Sequence, residues 1–362
     1  MMQRISQLQL GLLIIMFHFS TATGFLMALI FSKAEYDGWL VILFSAAGGL
    51  LITYVSVALG RQRENEFIVH YGKELLGRWL HIVMMVGTSF FFIHLASIVL
   101  RQLTDFLVQI YLPTTPSWMI ATLMGFSAAI AVRSGLETIF RCASGFFFIV
   151  FGVIAIAPML VGNELNGDRA AALWTHLYDW KFLASSYTFI PWFGEMFLVL
   201  FIFPNIANSQ KTYRSILWST LFTVVFIEMV FVLCLLLFGA HLSAQMSYPI
   251  LEVVRFIRIG DFLENLDPFL VAVWTASILV KISILLYISI LIPIQLLGLK
   301  DTRPFTFTFG AIMIGLSMHM VGNMIELGKF VIKSWPNFAM LVECLPVIYW
   351  IIALIKKRRS NA

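Results

Sequence analysis

Few of the 362 residues could do chemistry in apolar surroundings, and they concentrate in three places. The first is Ser20-Thr21-Ala22-Thr23-Gly24, a run of small polar residues ending in glycine inside the apolar stretch 8–31. The second is Pro191-Trp192-Phe193-Gly194-Glu195, inside the stretch 182–204. Proline removes a backbone donor and glycine loosens a helix, so both stretches are expected to open partway along. Freed N–H groups and helix N-terminal dipoles could hold a carboxylate, and freed carbonyls an amine or a cation. Ser20, Thr21, Thr23, Gly24, Pro191, Gly194 and Glu195 are therefore the candidate ligand-binding residues. The plain alternative is a packing kink at each place. The third place is Lys281, alone in a long apolar run; it could supply a fixed positive charge, stand in for a coupling cation, or exchange a proton. Glu195 is its expected partner, and a static interhelical salt bridge is the competing reading. Phe91 and His94, at mid-depth of the stretch 79–100, are further candidate pocket walls. Glu228 and Glu343 read as hydrogen-bonded structural carboxyls. His18 lies one turn before the first interruption. His319 also falls inside an apolar run, and Arg101 is expected to pair with Asp105 at a rim.

Other chemistries lack their residues. Gly322 to Lys329 imitates a phosphate loop only superficially, with Phe330 where Ser or Thr is needed. No zinc-protease motif and no nucleophile elbow is present. Cys142, Cys234 and Cys344 are far apart, fit no metal site, and read as small core residues. No catalytic residue, metal or cofactor is expected.

The elements that must position these residues are membrane helices. Hydrophobic residues make up 60% of the chain and charged residues 12%, and the mean hydropathy is +0.92. An ordinary soluble domain carries about twice that share of charge, so a water-soluble globule and a disordered chain are both excluded. A helix needs about 20 apolar residues to cross the hydrocarbon layer. Ten such stretches occur: 8–31, 38–59, 79–100, 116–132, 145–161, 182–204, 215–238, 268–296, 305–324 and 335–355. The apolar run from Leu8 is too long for a signal-peptide core and reads as the first span. Alternation of period two is absent, which argues against a β-barrel. Fifteen of the 24 Lys and Arg fall on the N-terminal side of these spans and eight on the other, predicting that both termini are cytoplasmic. The net charge of +5 suits anionic lipid headgroups rather than nucleic acid, for which no basic stripe exists.

Interruptions in spans one and six of ten predict an all-α transporter fold of two inverted five-helix repeats with broken helices 1 and 6. The expected organisation is a single membrane domain, 1–362. Repeat one covers about 8–161, repeat two about 182–355, and an outer amphipathic segment 239–267. The charged stretch 61–78 is an inner loop with room for a short helix.

Several motifs together resemble one known family. They run from Ile5-Ser6 and Gln9-Leu10 through Thr23-Gly24, Leu76-Gly77-Arg78-Trp79-Leu80, Leu100-Arg101 and Leu112-Pro113 to Gly135-Leu136-Glu137 with Arg141. They continue with Phe193-Gly194-Glu195, Tyr248-Pro249, Gly260, Phe262-Leu263-Glu264, Lys281, Leu297-Gly298-Leu299-Lys300-Asp301 and Arg303-Pro304. In this order the chain resembles the B subunits of Ger-type nutrient germinant receptors, the endospore germination permease family of the amino acid/polyamine/organocation superfamily. Ala22 and Asn265 depart from the glycine and the basic residue that the family pattern carries there. The resemblance implies a receptor of the spore inner membrane, assembled with an A subunit and a lipoprotein C subunit. Such a receptor senses amino acids, nucleosides or sugars and triggers germination. Arg255 and Glu264 would then gate entry or touch partner subunits. A proton-coupled amino acid transporter and a water- or ion-conducting scaffold are the alternatives.

Overall fold

Ser6 starts the first helix. Its Oγ accepts from the Gln9 amide at 3.2 Å while Gln9 Oε1 accepts from the Ser6 amide at 3.0 Å, so two otherwise orphaned donors are satisfied reciprocally. This is seen in a computed structural model that describes residues 4–175, 180–257 and 266–360. Among them there is no β-strand, only a bridge between Ile5 and Ile206. In hydrocarbon every backbone group must be paired within its own segment, and a helix does this for long apolar runs.

The order is α1 (Gln7–Thr21), a π-helical turn (Ala22–Leu26), α2 (Met27–Ala34), α3 (Gly38–Gly60), α4 (Ile68–Leu76) and α5 (Arg78–Ile110). Then come α6 (Ser117–Arg133), α7 (Leu136–Val161), the short α8 (Ala172–Thr175), α9 (Lys181–Gly194) and α10 (Val199–Ile202). The chain continues through α11 (Thr212–Gln245), kinked at Gly239, and α12 (Pro249–Arg255). It ends in α13 (Asp267–Leu296), α14 (Thr306–His319), α15 (Met324–Lys333), α16 (Trp335–Glu343) and α17 (Leu345–Ser360).

All ten expected spans fall on these helices, and the chain is a multi-pass membrane protein. Among the described residues, six stretches are long and apolar enough to cross a bilayer on their own, and the first of them, Gln7–Arg63, holds two of the expected spans. Two bent pairs pass together: α6 with α7, turned by 118°, and α14 with α15, turned by 102°. Three boundaries differ from expectation. The third span continues past Leu100 because Arg101 and Asp105 pair one turn apart within it. The fifth begins at Leu136, where Glu137 and Arg141 do the same. The ninth stops at His319, and α15 forms over Met324–Lys333, almost wholly between the last two expected spans, capped by Asn323 Oδ1 accepting from the Glu326 amide at 3.0 Å.

Packing follows a two-fold rule in which each span n exchanges with n + 5. Span two (α3) packs most extensively on span six (α9), as span seven (α11) packs on span one (α1). Spans three and eight (α5, α13) and spans four and nine (α6, α14) pack on each other, and these pairs map onto themselves. This is the five-plus-five arrangement, and it brings the interruptions of spans one and six together across span eight. The centre is aromatic: Phe92 stacks on Phe197 at 5.1 Å, and Phe91 on Trp335 at 5.4 Å. Cys234 is buried, but Cys142 is exposed on α7, so it is not a core residue.

Candidate functional site

Both interruptions lie where the sequence puts them, yet neither is unwound. Span one stays helical through its π turn, a device common at functional positions. Ser20 Oγ donates back to Phe17 O at 2.6 Å and Thr23 Oγ1 to Phe19 O at 2.8 Å. Trp274 of span eight donates its Nε1–H to Ser20 O. Its ring fills the space beside Gly24, where a Cβ would stand 1.2 Å from the indole. Span six absorbs Pro191 and then tightens into a 3-10 turn over Glu195–Leu198. The loosened backbone is thus occupied by the chain's own side chains, which corrects the expectation of an open, backbone-lined hollow.

Side chains form the node instead. Lys281 Nζ lies 2.7 Å from Glu195 Oε2, donates to Thr21 Oγ1 at 2.9 Å, and sits 4.2 Å above the centre of the Phe17 ring. Both charged side chains are fully buried. One ammonium on span eight therefore ties together spans one and six at their distorted turns. Cation and carboxylate, reinforced by the ring face, give each charge the partner that a low-dielectric site demands. Glu343, at the break between α16 and α17, is equally buried and presses against Gly194, where a Cβ would lie 2.1 Å from its Oε2. Neither Glu343 oxygen has a hydrogen-bond partner among the described residues, so the hydrogen-bonded carboxyl expected there is not found. Because Gly194 immediately precedes Glu195, the Gly194 contact places a further buried carboxyl beside the Lys281–Glu195 pair.

The structure brings Thr21, Glu195 and Lys281 around one cavity of about 10 Å³, closed by Trp192 and Trp335 and by Leu95, Ile98, Val99 and Gln102 of α5. Such a space holds a single water at most. Phe91 and His94 do not reach it; they stack behind Trp335, the histidine at 5.7 Å. His18 packs against Phe193 at 5.1 Å, also outside the wall. Trp192 lies within the Pro191–Glu195 run that the sequence singles out, whereas sequence reasoning did not find Gln102, Trp274 or Trp335.

Above the cavity, at the end of the bundle away from the N-terminus, a vestibule of about 710 Å³ opens. It is lined by Phe25, Tyr248 and Asn323 and by the Arg101–Asp105 pair, joined at 2.9 Å as expected. Gln102 and Val331 line both spaces and so form the partition between them. At the rim, Tyr111 Oη donates to Asp267 Oδ2 at 2.6 Å, and Arg255 Nε lies 3.4 Å from the same oxygen. Arg255 thereby fastens α12 to the start of span eight. Burial, and then the Asp267 carboxylate, push the Tyr111 hydroxyl up to about 12. Glu264 lies outside the described residues.

A ten-span bundle whose two distorted helices meet at a buried charge is a transporter fold, and solved structures agree. MhsT in complex with L-phenylalanine superposes with a TM-score of 0.67 at 12% identity, covering 98% of this chain and 99% of that one. Mhp1, a nucleobase-cation-symport-1 family transporter in a closed conformation with bromovinylhydantoin bound, gives 0.64 at 12% identity, covering 94% and 77%. The chain belongs to the spore permease family, described as "Spore germination protein", whose model matches residues 4–325. Spore germination protein KB of Bacillus subtilis (strain 168) is 23% identical over 365 residues, 99% of this chain and 96% of the relative. Spore germination protein XB of Bacillus anthracis is 21% identical over 259 residues, 70% of each chain. The resemblance read from the motifs is borne out.

Proposed function

We propose that the chain is the ligand-binding, permease-like subunit of a nutrient germinant receptor in the spore inner membrane. In this reading it acts with A-type and lipoprotein C-type subunits, and both termini are cytoplasmic. The observation that carries the reading is the buried Lys281–Glu195 pair at the meeting of the two distorted spans. Separating such a pair leaves two uncompensated charges, and breaking one by removing a partner costs about 3–5 kcal/mol. A ligand opens it without that penalty only by offering both opposite charges. A zwitterionic amino acid does so, its carboxylate meeting Lys281 and its ammonium meeting Glu195, and a fold relative holds an amino acid. Among amino acids, nucleosides and sugars, this favours the first. The germinant enters from the vestibule past Gln102 and Val331, and Ser20 to Gly24 and Pro191 to Glu195 re-pack as the cavity grows. Signalling then needs only different affinities for the closed and opened states.

Glu343 favours a second reading, proton-coupled amino acid transport, because a further buried carboxyl beside the pair could pass a proton. Spores carrying Lys281→Gln at wild-type receptor level, scored against a nutrient panel, test the first reading. Loss of the response to one amino acid supports it, and an unchanged panel sinks it. Gradient-driven uptake of that amino acid by the chain alone in liposomes would favour the second.

A further inference from the structure

At the end of the bundle where the N-terminus lies, spans one and seven run side by side and leave a lipid-facing groove of about 350 Å³. Their starts are fastened together: Ser215 Oγ donates to Gln7 O at 2.8 Å, and Gln7 Nε2 to Ala207 O at 2.6 Å. A Cβ at Gly11 would stand 2.7 Å from Ser219 Oγ, so the helices touch there and the groove lies over that contact. Its walls are one face of each helix, with Leu8, Leu12 and Ile15 on α1 and Trp218 on α11. From Gln7 to Ile15 it runs about 12 Å, at 1.5 Å per residue, most of the depth of one leaflet's hydrocarbon.

The mouth of this apolar groove carries two cations. Lys211 precedes α11 and Arg214 stands in its first turn; both are exposed, and neither charged side chain has an ion-pair or hydrogen-bond partner among the described residues. The adjoining loop is itself balanced, Arg61 donating to Gln210 O at 2.6 Å, Glu64 accepting from Gln210 Nε2 at 2.7 Å and Arg63 pairing with Glu66, so it does not neutralise them. Trp218, 62% exposed one turn deeper, is the aromatic that membrane interfaces favour. Any lipid can fill an apolar groove; paired cations at its mouth select the headgroup.

We infer that this groove binds one anionic phospholipid, its phosphate held between Lys211 and Arg214 and one acyl chain lying between the exposed side chains of Leu8 and Trp218, over a floor whose buried residues include Leu12 and Ile15. The bound lipid holds the first half of span one against span seven, on the near side of the π turn.

The test is lipid retention by the full-length protein, read by native mass spectrometry with dioleoyl phosphatidylglycerol and dioleoyl phosphatidylcholine in competition. Each cation near a membrane surface contributes about 1 kcal/mol, so Lys211→Gln/Arg214→Gln should weaken phosphatidylglycerol binding about 30-fold and leave phosphatidylcholine unchanged. Lys300→Gln/Arg303→Gln, removing the same charge elsewhere on that membrane face, should change neither. Equal loss in both double variants, or undiminished preference in the first, overturns the site. Displacement of the lipid by millimolar inorganic phosphate would also overturn it, because the groove would then be a plain anion site.

Discussion

Lys281 Nζ stands 2.7 Å from Glu195 Oε2, with both side chains sealed from solvent, where spans one, six and eight meet. An exposed pair of this kind would contribute about 0–1 kcal/mol. Here the same contact decides whether the centre of the bundle is neutral, so each partner holds the other in place.

Removing one partner should therefore be costly and removing both should not. Lys281→Gln or Glu195→Gln alone is expected to lower stability by about 3–5 kcal/mol, whereas Lys281→Met/Glu195→Leu should recover most of it. Denaturant unfolding of the solubilised protein, analysed as a double-mutant cycle, measures the difference. The recovered double variant should still fail to respond to germinant.

Gly24 and Trp274 should prove coupled as well. Gly24→Ala drives a methyl into the indole ring and is expected to cost about 1–3 kcal/mol or more. Trp274→Ala in the same chain should relieve the clash, so the two losses should not add. Thermal unfolding of the four chains checks this.

The partition formed by Gln102 and Val331 predicts graded access. In a cysteine-free background, Asn323→Cys in the vestibule should react with a membrane-impermeant thiol reagent, while Leu95→Cys in the closed cavity should react at least tenfold more slowly. Val331→Ala should narrow that gap. Germinant should do the same, since it must open the partition.

Alkali should act on the rim. Tyr111 keeps its proton to about 12 when folded and loses it near 10 when unfolded. Its contribution is full below pH 10 and disappears as pH rises toward 12. Between those values Tyr111→Phe should lose less stability than the wild-type protein, as followed by unfolding temperature against pH.

The sequence carried the fold and half of the site, for reasons that differ residue by residue. Pro191, Gly24 and Gly194 announce the distorted turns because their effect is local. Lys281 and Glu195 stand out because charge is rare in such spans. Whether a distortion opens or only rewinds depends on Trp274 reaching across from span eight, which no local pattern encodes. Phe91 and His94 show the same limit: with Leu95, Ile98 and Gln102 they share one face of α5, but the cavity lies about a turn nearer the vestibule. Glu343 looked structural because nothing in the sequence sets it against Gly194. The α15 helix had a readable signal, Asn323 three residues before Glu326, that apolar-run counting passes over.

The most direct test of the central claim uses spores carrying wild type, Lys281→Gln, or Lys281→Arg at matched receptor level, with germination measured against concentration of the effective amino acid. If Lys281 and Glu195 receive the ligand's two charges, Lys281→Gln shifts the half-maximal concentration at least a hundredfold and Lys281→Arg restores part of it. A Lys281→Gln curve overlaying the wild type would contradict the account.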